Sequence, residues 1–294
     1  MEMTEKKWNL ELLHLGKMRC KKSRMILTEK PEEEIDIPVS AVLLRHPDYG
    51  NVLYDTGNAE DWSECLPESI QQGFPVTEWV SIRTALKKKG LSPEEIDVLI
   101  LSHLHFDHAG GLREFAGTKA GNAVRISRSE LSHALVKVFT GTVGGYVKSL
   151  IDVPGITYQP VDQDTVLFPG LTLFLQQSHA PGLIGLEVET ENRGTVLCVS
   201  DAVYLRENEE KELPPDSPNR EVAQGFLEHL KLLQKRREQT GAVILYGHDL
   251  KQEEQWIEDV YKRQIQYLAD AGIPEEEISY MTRELPARLL GLDQ

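Results

Sequence analysis

The sequence predicts a layered α/β or α+β domain, in which mixed β-sheets are covered by helices. Short apolar runs recur along the chain at the lengths typical of strands, and helical patterns lie between them. The predicted strands cover Asn9–Leu15, Val39–Arg45, Val52–Asp55, Val98–Leu101, Val124–Ile126, Thr172–Gln176, Gly185–Val188, Val196–Val199 and Val243–Tyr246.

The helical patterns carry recognisable starts and ends. Trp79, Ile82 and Leu86 fall at helical spacing, and Gly90 is expected to end that helix as its C′ residue. Ser92–Glu95 combines an N-cap serine, a proline and a capping-box glutamate, which predicts the next helix start. Longer helices are predicted over Asn219–Arg237 and Gln252–Ala269.

Composition limits the function classes. The chain has 294 residues without a repeat or an obvious linker, so we expect one domain over residues 1–294. A formal net charge of −15 without a basic stripe disfavours nucleic-acid binding. No apolar run approaches the roughly 20 residues that span a membrane.

The expected compartment follows from two features. The N-terminal stretch Met1–Trp8 is charged and does not resemble a signal peptide. The chain has three cysteines, Cys20, Cys65 and Cys198, and none of them forms a C-x-x-C pair. An odd number of widely spaced cysteines does not suggest a disulfide framework, which fits a reducing compartment. We therefore expect a cytoplasmic protein.

The most informative motif is His103-Leu104-His105-Phe106-Asp107-His108, directly after the predicted strand Val98–Leu101. In extended chain, residues two apart point the same way, so His103 and His105 can converge on one metal ion. After the chain turns, Asp107 and His108 can face a second ion. A chance match to this pattern has a probability on the order of 10⁻³ or below.

Further residues of metal-ligand type each follow an apolar strand. His179 follows Thr172–Gln176, Asp201 ends Val196–Ser200, and His248 follows Val243–Tyr246. Each residue alone is more typical of a helix cap or a hydrogen-bonded polar group. Together with the motif they indicate a metal site.

This order of residues resembles the metallo-β-lactamase superfamily, which implies an αβ/βα four-layer sandwich. The resemblance implies that His103, His105 and His179 bind one metal, that Asp107, His108 and His248 bind a second, and that Asp201 bridges the two. Asp55-Thr56-Gly57 resembles the early Asp-x-Gly element of the superfamily, and Asp55 would then orient a ligand histidine.

Within the superfamily the chain most resembles the N-acyl-homoserine lactonases. The similar segments are Phe106 inside the motif, Asp201–Tyr204, Tyr246–Asp249, Leu15–Lys21, Ile37–Val39 and Asp55–Asn58. The segment Gln176–Leu183 departs from the family's T-P-G-H-x-P-G-H. It keeps the ligand histidine but lacks the preceding Pro-Gly and the second histidine, which bears on substrate choice.

The resemblance implies a mechanism and a cofactor. Two divalent ions, zinc by default although Fe²⁺, Mn²⁺ or Co²⁺ also suit imidazole and carboxylate, share a hydroxide that attacks a lactone carbonyl. Tyr204 is expected to donate to the developing oxyanion, and Asp107 to carry a proton to the leaving alkoxide. Phe106 is expected to offer an apolar wall to the substrate's acyl tail.

Alternatives remain open at this point. The chain could be another hydrolase of the superfamily, such as a glyoxalase II-like thioesterase, a different lactonase or a phosphotriesterase, or a non-catalytic metal-binding protein. The irregular stretches Glu60–Thr77 and Phe139–Tyr146 either wall the pocket or cover satellite hydrophobic clusters. A homodimer is also compatible with the sequence. Histidines without a partner at ligand spacing are expected to be surface or structural residues: His14, His46, His133 and His229.

Overall fold

The computed structural model describes residues 6–141, 144–217, 219–280 and 282. The chain divides into two units, of which the first ends at Leu250 and the second begins at Lys251. The first unit contains all strands of the described residues and the candidate site. The single domain over residues 1–294 stays a prediction.

The first sheet is built by the N-terminal half of the chain and has seven strands in the order β4-β1-β2-β3-β5-β6-β7. Its strands are β1 (Asn9–Lys21), β2 (Glu34–His46), β3 (Gly50–Tyr54), β4 (Val76–Trp79), β5 (Val98–Ile100), β6 (Val124–Ser127) and β7 (Tyr158–Val161). The strands from β3 to β7 along this order run parallel, and β4, β1, β2 and β3 pair antiparallel.

The second sheet has five strands in the order β12-β11-β10-β9-β8. Its strands are β8 (Thr165–Phe168), β9 (Leu171–Gln176), β10 (Leu183–Thr190), β11 (Gly194–Ser200) and β12 (Val243–Tyr246). Only β11 and β12 pair in parallel among the described strands of this sheet. Most of β11 is buried, as expected for a strand covered on both faces.

Helices alternate with the strands along the chain and continue after the last strand. They are α1 (Trp62–Cys65), α2 (Glu68–Gly73), α3 (Ile82–Lys88), α4 (Phe106–Ala109), α5 (Arg128–Thr140), α6 (Lys148–Ile151), α7 (Arg206–Lys211), α8 (Arg220–Thr240), α9 (Leu250–Asp270) and α10 (Glu275–Ser279). Within the part of the chain that the structure describes, none of them combines the length and the apolar character needed to span a bilayer.

The core has the layers that the sequence predicts. Ile82 and Leu86 of α3 join the hydrophobic cluster of the first sheet, whereas Phe226 and Leu230 of α8 join that of the second. The sheets meet directly, because the buried Tyr54 hydroxyl of β3 donates to the carbonyl oxygen of Ile184 on β10 at 2.6 Å. The predicted αβ/βα sandwich is therefore confirmed.

One helix prediction is wrong at its start. Trp79 ends strand β4 instead of opening a helix, and its indole nitrogen donates to the Asn58 carbonyl oxygen at 3.2 Å. Helix α3 begins at Ile82 because the Ser81 side chain accepts from the Thr84 backbone nitrogen and caps it there. Gly90 follows the helix with φ +72°, as its predicted place requires.

The two irregular stretches differ in what they contribute. Residues 60–77 contain α1, α2 and the start of β4, and Trp62 and Phe74 pack against the first sheet's core. In the stretch Phe139–Tyr146, α5 ends at Thr140, and residues 142 and 143 lie outside the described residues. Its last residues reach the candidate site.

Candidate metal centre

All seven predicted ligands lie where strands end. His103–His108 follow β5, His179 lies between β9 and β10, Asp201 follows β11 directly, and His248 follows β12. Because these strand ends meet along one edge of the sandwich, side chains far apart in sequence come together. The structure groups them into three overlapping sets whose donor atoms lie within 4.8 Å of one another: His103–His105–His179, His103–His108–Asp201 and Asp107–His108–His248.

Asp201 lies between the two predicted ligand sets with one oxygen toward each. Its Oδ2 is 3.4 Å from His179 Nε2 and 3.9 Å from His103 Nε2. Its Oδ1 is 3.1 Å from the Nε2 atoms of both His108 and His248. This is the placement that a bridging carboxylate requires.

The donor atoms fit a divalent cation. His108 Nε2 and Asp201 Oδ1 are buried and lie 3.1 Å apart, yet neither finds a hydrogen-bond partner. Buried polar atoms in proteins are almost always paired, so such orphans point to an ion. His179 Nε2 also lies 3.1 Å from His103 Nε2 and 2.9 Å from His105 Nδ1. The ring nitrogens of these three histidines therefore converge on one point.

The electrostatics of the site agree with this fit. Burial lowers the pKa of His103, His105 and His179, and neighbouring histidines lower that of His103 and His105 further. Neutral imidazole is the form that binds metals.

The pKa values of the other two histidines, His108 and His248, shift upward. Burial alone would lower the pKa of His108 and His248, but the Asp201 and Asp107 carboxylates outweigh it and raise the pKa of both. The site thus has an excess of buried carboxylate, for which a cation compensates.

Hydrogen bonds at the far side of the rings aim the histidines at the centre. His108 Nδ1 lies 2.8 Å from Asp55 Oδ2, and His248 Nδ1 lies 2.9 Å from the Pro38 carbonyl oxygen. Each Nδ1–H donates there, which leaves Nε2 as the free donor atom for a metal. Asp55 also accepts from the Ser102 backbone nitrogen and hydroxyl, at 2.7 and 2.8 Å. Asp55 therefore lies where the sequence predicts a residue that orients a ligand histidine.

We expect Asp55→Asn to weaken metal binding about 10- to 100-fold, the usual cost of removing such an orienting carboxylate. Competition between the metal-free protein and a chelator of known zinc affinity measures the change. Asp36→Asn is the control, since Asp36 pairs with Arg19 on the surface. Equal zinc affinity of Asp55→Asn and wild-type protein would refute this role.

Tyr204 is held at the edge of the centre. Its hydroxyl lies 2.6 Å from His179 Nδ1, and its ring stacks on His248 with 6.0 Å between centroids. If His179 Nε2 faces a metal, its Nδ1 carries the proton and donates to the Tyr204 oxygen. The phenol hydrogen is then free for another acceptor. Burial and the charges of Asp201 and Asp107 raise the pKa of Tyr204, so the phenol stays protonated.

Glu130 supports the motif from behind, which sequence reasoning missed. It is fully buried, and its carboxylate accepts from the Leu104 backbone nitrogen at 2.9 Å and from the Tyr146 hydroxyl at 3.1 Å. The Tyr146 ring in turn meets His105 edge-on, with 4.4 Å between centroids. In the sequence, the signal for Glu130 was its position three residues after Ser127. That spacing suggests a helix cap rather than a residue that supports a site.

Gly145 allows that contact between Tyr146 and His105. A Cβ atom on Gly145 would lie 2.5 Å from the His105 ring, closer than real Cβ contacts come. The Gly145 carbonyl oxygen also accepts from the Phe106 backbone nitrogen at 2.9 Å. The glycine-rich stretch after α5 thus serves to seat the metal-binding loop.

Glu130 predicts a pH dependence of stability. Burial raises its pKa from 4.5 to about 7. Because the folded pKa is raised, its stabilising contribution is present below pH 4.5 and is lost as pH rises through 7. The loss amounts to at most about 3 kcal/mol. We expect Glu130→Gln, which stays neutral, to lose less stability than wild type between pH 5 and 8 in denaturant unfolding. Parallel pH profiles for the two proteins would contradict this expectation.

A cavity of about 510 Å³ opens from the centre. His179, Asp201 and Tyr204 line one end, and residues of the first turns of α8 line the other. Phe106, predicted as the apolar wall, does not line this cavity: it is 5% exposed and its ring packs 6.3 Å from that of Phe74. Its role as a substrate-binding residue stays a prediction.

The remaining histidines have contacts of their own and are absent from the donor sets of the described residues. His229 is buried with its Nε2 3.1 Å from Gln176 Oε1, and His46 Nε2 lies 3.1 Å from the Lys6 carbonyl oxygen. His14 Nε2 lies 3.2 Å from Glu78 Oε1. These contacts agree with the predicted structural and surface roles.

Comparison with known proteins gives a family match. The model of the metallo-β-lactamase superfamily matches residues 35–248. An N-acyl homoserine lactonase of Bacillus cereus is 32% identical over 259 residues, which cover 85% of this chain and 96% of that protein. The N-acyl homoserine lactonase AttM of Azorhizobium caulinodans is 29% identical over 261 residues, which cover 82% and 92%.

Solved structures agree. An AiiA mutant of B. thuringiensis with N-decanoyl-L-homoserine bound at its active site has a TM-score of 0.73 at 29% identity, covering 86% of this chain and 97% of that one. An N-acyl homoserine lactone hydrolase with N-hexanoyl-L-homoserine at its catalytic metal centre also has a TM-score of 0.73, at 30% identity and with the same coverage. The residues matched by the family model, 35–248, include all seven candidate ligands.

Proposed function

The chain belongs to the metallo-β-lactamase superfamily, and on that basis we propose that it is a metal-dependent hydrolase that opens the ring of N-acyl-homoserine lactones. Such an activity degrades quorum-sensing signals. Support comes from the relatives that match over most of both chains, which are N-acyl homoserine lactonases.

One observation carries the proposal. The cavity is lined by two of the converging ligands, His179 and Asp201, by Tyr204, and by apolar side chains of Ala180, Val222 and Phe226. A volume of about 510 Å³ is within the range of small-molecule sites, about 300–1,000 Å³. An acyl lactone has both parts that this cavity offers to bind, a carbonyl to be polarised and an apolar tail.

The metal ions would be held by the two ligand sets. His103, His105 and His179 would hold one ion, Asp107, His108 and His248 the other, and Asp201 both. When bound, two divalent ions would lower the pKa of a water far enough to supply hydroxide near neutral pH, and they would polarise a carbonyl oxygen. Nitrogen and oxygen donors suit zinc, which we propose as the metal, and also Fe²⁺, Mn²⁺ or Co²⁺.

The chain's own residues supply the rest of the mechanism. The Tyr204 phenol, freed by the His179 Nδ1–H donation, donates to the carbonyl oxygen and follows it as negative charge develops. Asp107 is buried, with Oδ2 3.7 Å from the Nε2 atoms of both His108 and His248. We propose that it accepts the proton of the attacking water and returns it to the leaving alkoxide.

A substrate panel tests the proposal. Purified protein loaded with zinc is incubated with N-acyl-homoserine lactones, simple lactones, S-lactoylglutathione and a phosphotriester, and mass spectrometry follows the gain of one water. We expect the acyl lactones to have the highest kcat/KM. Intact acyl lactones beside turnover of the thioester or the phosphotriester would overturn the lactonase assignment and leave only the metal centre.

Other expectations from the sequence remain proposals. We propose a cytoplasmic location, on the strength of cysteines that are free in the structure. We also predict from the sequence that the protein binds neither nucleic acid nor membranes. The sequence is compatible with a homodimer, which stays a proposal.

A further inference from the structure

The first turns of helix α8 contribute five residues to the cavity lining, Glu221, Val222, Ala223, Gly225 and Phe226. Val222, Gly225 and Phe226 line it and stand at helical spacing i, i+3 and i+4, which places them on one face. Ala180 and Pro181, from the segment that departs from the family pattern, line it as well. The apolar wall therefore comes from two segments that sequence reasoning did not connect.

Solvent exposure falls along this face from Val222 to Phe226. Val222 is 58% exposed, whereas Phe226 is 6% exposed and joins the core between α8 and the second sheet. An exposed valine beside a buried phenylalanine makes a continuous apolar track into the protein. Tyr204 and Asp201, where the reaction would occur, line the same cavity as Val222 and Phe226.

Gly225 is the unusual residue on this face. A glycine inside a helix destabilises the helix relative to alanine, so its presence in α8 calls for a reason. No heavy atom lies within 4 Å of a Cβ built on Gly225, and the residue lines the cavity. Any side chain there would project into the cavity, so the glycine keeps that space open.

We propose that the Val222–Gly225–Phe226 face of α8 binds the acyl tail of the substrate, and that Gly225 sets the length of tail the enzyme accepts. The inference rests on the proposed lactone hydrolysis and names its specificity-determining residue. The tail should be an uncharged alkyl chain, because the track is apolar and the Glu221 carboxylate also lines the cavity. This face is distinct from Phe106, which does not line the cavity and whose role stays a separate prediction.

The test compares kcat/KM on butanoyl- and decanoyl-homoserine lactone for wild type, Gly225→Ala, Gly225→Leu and Gln224→Leu. Gln224 is the exposed neighbour of Gly225 in the helix and does not line the cavity, which makes Gln224→Leu the matched control. Alanine and leucine both favour helix over glycine, so these variants should fold, and thermal midpoints no lower than wild type would verify it.

We expect Gly225→Leu to lower the decanoyl-to-butanoyl ratio of kcat/KM by roughly 10-fold or more, as displacing two buried methylenes would do. Gly225→Ala should give an intermediate ratio, and Gln224→Leu the wild-type ratio. An unchanged ratio in Gly225→Leu, in an enzyme whose wild type opens both lactones, overturns the subsite and leaves the lactonase proposal standing. A wild type that opens neither lactone overturns both.

Discussion

Asp201→Asn is expected to reduce lactone opening by at least about 10³-fold and to leave fewer than two metal ions per chain. Asparagine keeps the shape of the side chain but removes the charge that faces both ligand sets, at 3.1 Å from His108 and 3.4 Å from His179. If the variant no longer holds both ions, the pKa of the attacking water would rise toward that of bulk water, and little hydroxide would be available at neutral pH.

Elemental analysis of gently purified Asp201→Asn and kinetics on the best lactone measure these losses. His133→Ala is the control, since His133 belongs to none of the donor sets found among the described residues. It should keep two ions. Two ions and activity within tenfold of wild type in Asp201→Asn would rule out the bridging role.

Tyr204→Phe is expected to lower kcat by roughly 10- to 10³-fold, in line with the loss of one oxyanion donor. The change also removes the acceptor of the His179 Nδ1 proton, at 2.6 Å, and so can weaken one metal site. The assay therefore uses saturating zinc, and metal content is measured in parallel. A loss of kcat at full metal occupancy separates the catalytic role from the positioning role.

Tyr158→Phe provides the comparison for Tyr204→Phe. The Tyr158 hydroxyl donates to the Ile151 carbonyl oxygen at 2.7 Å, away from the centre, so kcat should not change. Unaltered kcat/KM in a metal-loaded Tyr204→Phe would reduce Tyr204 to a packing residue.

The convergence of the seven candidate ligands could be predicted from the sequence, because each of them stands in a recognisable local pattern. The close spacing of His103 to His108, and the position of His179, Asp201 and His248 after apolar strands, are visible in the chain itself. Strand ends in a layered sheet meet, so convergence follows from topology. The alternation of apolar strands and helical patterns predicts a layered α/β or α+β domain, and the αβ/βα arrangement was implied by the resemblance to the superfamily.

The shape of the substrate site could not be predicted, because it depends on packing between distant segments. The position of Phe106 inside the motif does not show that its ring packs against the ring of Phe74. Gly225 lies in a predicted helix, and nothing in the sequence says that its face opens on a cavity with Pro181 across it. Trp79 fits a helical spacing but ends a strand, because the Ser81 cap starts the helix after it.

Helix α5 was not predicted for a related reason. Its pattern is blurred by Val136 and Phe139, which are 62% and 66% exposed, so apolar residues stand on both faces. Glu130, in its first turn, was therefore not recognised as a buried residue. Its contact with the Leu104 backbone depends on α5 lying beside the metal motif, which only the tertiary structure shows.

We propose that lactone opening requires two metal ions held by these seven side chains. Stepwise addition of zinc to chelator-treated protein, with ring opening of an acyl-homoserine lactone followed at each step, tests it most directly. We expect activity near zero at the start and a plateau at two zinc ions per chain. Full activity in the metal-free protein, or a plateau reached at one ion per chain, would contradict the account.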